Sequence, residues 1–187
     1  MSEIAAAVGG AVAEAGARRL FEWRRDEQAD WRALRRQHAD AVVPRLDHLR
    51  WLLGRAEVER NPDTWARAVT SCVTVLDGAE SVLPWELRRI KRSMRDAVGT
   101  AVGMGLVDLM PTWEPQLCPF DRIWSQYAQE YLELAIYRLQ TWRSMWSNRR
   151  AAKVQLPTFN TWLADTGRHR PGEVLVEPAR QELCTCP

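Results

Sequence analysis

The sequence predicts an all-α protein: a bundle of about four helices with a long N-terminal helix and a mostly irregular C-terminal tail. Three observations predict it. Apolar residues recur at three- and four-residue steps, as on one buried helix face; Leu20, Trp23, Trp31, Leu34 and Ala41, with Glu27 and His38 interleaved, form the first series. Proline does not occur between Ser2 and Val43, then falls at Pro44, Pro62, Pro84 and in a cluster at Pro111, Pro115 and Pro119. Strand-type alternation is confined to the short EVLVE at 173–177.

Each element follows from these signals. The first helix starts near Ser2, is expected to kink or break at Pro44, and continues through Leu46, Leu49, Leu52 and Leu53 to about Glu59. On it, Trp31 and Leu34 are expected to face the second and third helices. Asn61-Pro62 makes a turn, Asp63 is expected to cap the second helix, and Trp65, Val69, Cys72, Val73 and Leu76 mark its buried face. Pro84 ends that helix and opens a third, with Leu87, Ile90, Met94, Val98, Ala101 and Val102 as its stripe. The Pro-rich stretch 110–119 reads as a rigid linker. A fourth helix runs from about Phe120 to Ala151, with Ile123, Trp124, Tyr127, Tyr131, Leu134, Trp142 and Met145 near one face. Residues 1–151 then form the helical domain, and 152–187 a tail with a short helix at 157–166.

Composition narrows the function classes. The chain has 187 residues, 46% hydrophobic and 27% charged, with a net charge of +2 spread evenly along it, so bulk charge does not argue for nucleic acid. Arginine supplies 24 of the 26 basic residues, which favours planar, permanently charged groups suited to ion pairs and phosphate contacts. Ten tryptophans fall mostly at helical spacing and read as core anchors. Cys72 lies on an apolar stripe as a small hydrophobe. Cys184 and Cys186 close the chain as CTCP without a second pair, and His38, His48 and His169 form no ligand spacing, so no metal site and no cofactor are expected.

The opening run, IAAAVGGAVAEAGA, is interrupted by Glu14 and by Gly9, Gly10 and Gly16, and its 14 residues fall short of the roughly 20 needed to span a bilayer. Gly9, Gly16 and Trp23 form a seven-residue series, and Val12 and Gly16 stand four apart, so another backbone can approach closely on that side. Such a helix would outreach the others, and its first turns should overhang the bundle. The partner expected there is a second copy or another helical protein. An anionic membrane surface met by Arg18, Arg19, Arg24 and Arg25 is the alternative. The location expected is cytoplasmic, or peripheral at the inner face of the membrane.

Catalytic signatures are sparse. There is no Gly-rich phosphate loop after a strand, no H-E-x-x-H and no G-x-S-x-G; Gly99, Gly103 and Gly105 read as a helix terminus. The stretch RALRRQH, Arg32 to His38, resembles the R-x(4–6)-H pattern of HEPN-type ribonucleases, which are also helical bundles. That resemblance implies charge stabilisation by Arg32 and proton transfer by His38 at a phosphodiester. An Arg-rich chain produces this spacing readily by chance, and HEPN enzymes do not usually carry it in a first long helix. The third helix carries Arg88, Arg89, Lys91, Arg92 and Arg95, of which Arg88, Arg92 and Arg95 share a face able to grip phosphates. The competing reading is a solvated face paired with neighbouring carboxylates. Arg143, Arg149, Arg150 and Lys153 end the fourth helix, where cations suit the macrodipole. The leading expectation is therefore a non-enzymatic interaction or scaffold protein acting through its first helix. A nucleic-acid or anionic-surface binder using the third-helix arginines comes second, and a HEPN-like ribonuclease third.

Overall fold

The computed structural model describes residues 2–102 and 121–168, with side chains described from Glu22 onward. The Pro-rich linker at 110–119, Gly103 and Gly105, the EVLVE stretch, Cys118, Cys184 and Cys186 all lie outside the described residues. Among the described residues the structure is all-α, with no strand. The elements are α1 (Ser2–Leu53), α2 (Pro62–Ala79), α3 (Trp85–Arg88), α4 (Ile90–Val102), α5 (Arg122–Ser144), α6 (Asn148–Ala151) and α7 (Phe159–Asp165).

The core lies where α5 packs along α1 and against α4, with α2 on α1 and α7 against α4. Ala39, Val42, Leu46, Leu49 and Leu53 of α1 meet Trp65 and Leu76 of α2, Leu87 of α3, Ile90 and Met94 of α4, and Tyr131, Leu132, Leu139 and Trp142 of α5 in one buried cluster. Each fully buried large side chain contributes about 1.5–3 kcal/mol of transfer free energy. Polar ties fix the ends. The Ser125 hydroxyl donates to the Leu53 carbonyl in the last turn of α1, and Trp65 Nε1 donates to Glu59 O at 3.0 Å.

The structure corrects several boundaries. Helix α1 is continuous through Pro44 instead of breaking there. Proline removes one helical hydrogen bond, but Val42, Leu46 and Leu49 on both sides are fully buried and hold the helix. Asn61, not Asp63, caps α2: its side chain accepts from the Asp63 backbone N–H at 2.9 Å. The third helix divides at Arg89 into α3 and α4, and Gly99 lies within α4. The fourth stops at Ser144, and Met145 adopts extended backbone before α6 begins at Asn148. Ile123 is exposed, off the buried face of α5. The hydrophobic core also runs past Ala151, because Val154, Leu156, Phe159, Trp162 and Leu163 are buried in it. Tyr131 donates its hydroxyl to Pro157 O at 2.8 Å and stacks edge-on with Phe159 and Trp162.

Tryptophan placement departs from the expectation most. Trp65, Trp124, Trp142 and Trp162 are buried, whereas Trp23, Trp31, Trp51, Trp85 and Trp146 are exposed. Arg55 covers the Trp51 ring and Arg150 the Trp146 ring. No ring or cation contact covers Trp23, Trp31 or Trp85 among the described residues.

Candidate functional site

Two surfaces gather the sequence-predicted residues: the N-terminal half of α1, and a cleft between α3, α4 and the start of α7.

Among the side chains described on α1, from Glu22 onward, the first buried one is Arg35; every residue from Glu22 to Leu34 is exposed or half-buried. At 1.5 Å per residue, the 52 residues of α1 extend about 78 Å and the 23 of α5 only about 35 Å, so α5 cannot cover all of α1. Trp23 is 61% exposed and Trp31 39%. The placement of Trp31 in the core against the second and third helices is therefore wrong, and Leu34 is only half-buried. The reason is geometric. The buried series on α1 is Arg35, Ala39, Val42, Leu46, Leu49 and Leu53, at alternating steps of four and three. At 100° per residue, the stripe of Trp23, Leu34, His38 and Ala41 lies about a quarter-turn round the helix from that series. Trp31 is closer to the buried face but stands one turn beyond the bundle's end. Gly9, Val12 and Gly16 belong to the same helix, and their side-chain surroundings lie outside what the structure describes.

Arg35 is the residue sequence reasoning missed. It is 3% exposed and reaches from α1 into the α5–α6 break, where its Nη2 donates to Met145 O at 2.7 Å and its Nη1 to Asn148 Oδ1. Burial, with Arg32 and Arg36 nearby, pushes its pKa below the ordinary arginine value. Its two acceptors are neutral, so the guanidinium is held by charge-assisted hydrogen bonds and not by an ion pair. The ribonuclease candidates flank it. Arg32 Nε donates to Gln28 O at 3.1 Å, and His38 is half-buried. Six residues on a helix set them about 120° apart and about 9 Å along the axis, an arrangement that does not converge on one phosphate.

The cleft is lined by Trp85, Arg88, Arg89, Arg92, Ser93, Asp96, Thr158 and Asn160 and has a volume of about 440 Å³. The divided third helix builds it, because α3 presents Trp85 and Arg88 while α4 presents Arg92, Ser93 and Asp96. Arg88 Nε donates to Leu83 O at 3.0 Å, which fixes its fork. Arg89 pairs with Glu86 at 3.1 Å, and Arg92 meets Asp96 only at 4.0 Å. Lys91 is turned away, 2.6 Å from Asp77 of α2. Arg95 is half-buried and is not among the lining residues. Of the five basic residues singled out in the sequence, the fold brings three to the cleft. Ser93 Oγ is buried there without a hydrogen bond of ordinary geometry, although it lies close enough to the Tyr131 hydroxyl to favour the phenolate slightly against burial.

No helix among the described residues is long and apolar enough to cross a membrane, and no group of three or more His, Cys, Asp or Glu among them could hold a metal ion. Cys72 is buried, and burial pushes its thiol up to about 12, so it is a packed hydrophobe with no reactive thiolate. The chain matches no protein-family model, no curated protein and no solved structure.

Proposed function

We propose that the protein is a non-enzymatic helical interaction module that pairs with a second copy of itself through the N-terminal half of α1. One observation carries the reading: α1 keeps an apolar face, with Trp23 and Trp31 exposed, on a segment, Glu22 to Leu34, where the bundle buries no side chain. A lone helix rich in glycine is marginal in water, so a partner for this face would stabilise it. Charge favours a copy of the same helix. Glu22, Asp26, Glu27 and Asp30, which outnumber Arg24 and Arg25 among them, precede Arg32 and Arg36, and an antiparallel copy sets this net acidic stretch of one chain beside the basic end of the other. The seven-residue series Gly9, Gly16 and Trp23 would let the two backbones approach closely. Such a module would work in the cytoplasm or at the inner face of the membrane, and needs no cofactor.

The competing use of the third helix, as a continuous basic stripe for nucleic acid or a lipid surface, is weakened because Lys91 is turned to Asp77 and Arg89 pairs with Glu86. Light scattering on the full chain and on the Trp23→Ala/Trp31→Ala variant tests the proposal. The full chain should weigh as a dimer, and the variant as a monomer that keeps its helical circular dichroism and a cooperative melting transition. A monomeric full chain at about 100 µM, well above a micromolar Kd, would overturn it.

A further inference from the structure

The cleft between α3, α4 and α7 has the makings of a binding site that α1 pairing does not use. Three guanidinium groups from a five-residue stretch line one concave surface, and such groups repel one another unless an anion sits among them. The carboxylates present do not fully neutralise them: Glu86 pairs with Arg89, while Asp96 stands 4.0 Å from Arg92, whose side chain is 90% exposed. Arg88 is held by its Nε bond to Leu83 O at the rim that this cleft shares with a smaller pocket lined by Asp77, Glu80 and Lys91. A preset planar fork is the geometry that takes phosphate oxygens in pairs.

Phosphate alone does not account for the rest of the lining. Trp85 is 67% exposed at the same cleft, an indole held at an aqueous surface beside three cations. Its face suits a flat aromatic ring, and such stacking tolerates any base. Asp96 Oδ is an acceptor for a sugar hydroxyl or an exocyclic amine, while the Thr158 hydroxyl in the same lining is engaged in capping α7. The buried Ser93 Oγ, beside the Tyr131 hydroxyl, closes the floor of the cleft. A volume of about 440 Å³ is within the range of small-molecule sites. It suits a compact ligand better than a polymer, because Lys91 is engaged with Asp77 and does not prolong the basic surface.

We propose that this cleft binds a nucleotide, with Arg88, Arg89 and Arg92 on its phosphates and Trp85 stacked on its base. Calorimetry of the full chain at low salt with ADP, inorganic pyrophosphate and adenosine tests it. ADP should bind, pyrophosphate should bind about tenfold more weakly, and adenosine should give no heat, since the phosphates supply the attraction and the base adds stacking. Arg92→Gln, at a position too exposed to affect folding, should weaken ADP and pyrophosphate alike by about tenfold. Trp85→Ala should bring ADP down to the pyrophosphate level and leave pyrophosphate unchanged. Melting temperatures of both variants should match the parent and so exclude misfolding. The proposal fails if ADP gives no binding at millimolar concentration, if Arg92→Gln leaves its affinity intact, or if Trp85→Ala costs ADP nothing. Binding of a single-stranded oligonucleotide or of anionic vesicles without binding of ADP overturns it equally.

Discussion

Arg35 shows how one side chain can set the shape of the bundle's end. Its guanidinium occupies the place where α5 stops, and it supplies donors to a carbonyl and an amide that extended backbone at Met145 has turned toward it. Arg35→Ala removes two charge-assisted hydrogen bonds worth about 1.5–3 kcal/mol each, offset in part by relief of burying the charge. A net loss of about 2–3 kcal/mol by denaturant unfolding is expected. A neutral result would show the break at Met145 to be independent of Arg35. Trp31 provides the contrast. Because it is exposed, Trp31→Ala should change the stability of the isolated chain by less than about 1 kcal/mol, while the fully buried Trp65→Ala should cost about 3–5 kcal/mol. Equal losses at the two positions would return Trp31 to the core. The signal for Arg35 was present in the sequence: the series Ala39, Val42, Leu46, Leu49 and Leu53, carried one step back, lands on it. The stripe through Trp23 and Trp31 is the stronger apolar signal, because tryptophan is the larger hydrophobe. Periodicity records which face of a helix is apolar, and a helix with two apolar faces does not record which one its own bundle covers.

Elements were legible where a proline or a cap accompanied a change of period. The start of α2 at Asn61-Pro62 is of this kind, and so is the start of α3 after Pro84. The stop at Ser144 was not, since no proline or glycine stands there and the stripe continues through Trp142 and Met145 into the next turn. Met145 O and Asn148 Oδ1 both accept from Arg35 across that break, a contact made from a distant part of the chain. The segment after Ala151 also carries little signal in the sequence. Its few apolar residues look scattered along the chain, yet Val154, Leu156, Phe159, Trp162 and Leu163 converge on Tyr131 and α4. Ending the chain at Ala151 should therefore abolish cooperative folding, read by circular dichroism. A cooperative transition with an unchanged midpoint would mean that this segment only decorates the bundle. Arg168 gives a finer test of the same packing. It stacks over Trp162 and Tyr127 and pairs with Glu130, so a cut after Gly167 is not silent, and Arg168→Ala should cost about 1–2 kcal/mol.

For the whole molecule, two buried acids make stability fall at alkaline pH. Burial raises Tyr131 from its ordinary 10 to about 12, despite Ser93, and raises Cys72 from 9 to about 12. A raised pKa means that the native state holds the proton more tightly than the unfolded chain. The stability this confers is complete below pH 9 and is lost as pH rises from about 9 toward 12. Urea midpoints should fall across that window, and Tyr131→Phe should flatten the part above pH 10, at the cost of the bond to Pro157 O. A midpoint independent of pH up to 12 would contradict the burial of both groups.

The same scale holds the central claim, that α1 pairs with a second copy along a segment its own bundle leaves bare. Backbone hydrogen exchange of amides 22–34, followed at several protein concentrations, tests that pairing most directly, because a lone helix end opens freely while a paired one does not. The account predicts slow exchange that accelerates on dilution and becomes fast at every concentration in the Trp23→Ala/Trp31→Ala variant. Exchange that is fast in the parent, or slow but indifferent to both concentration and substitution, would contradict it.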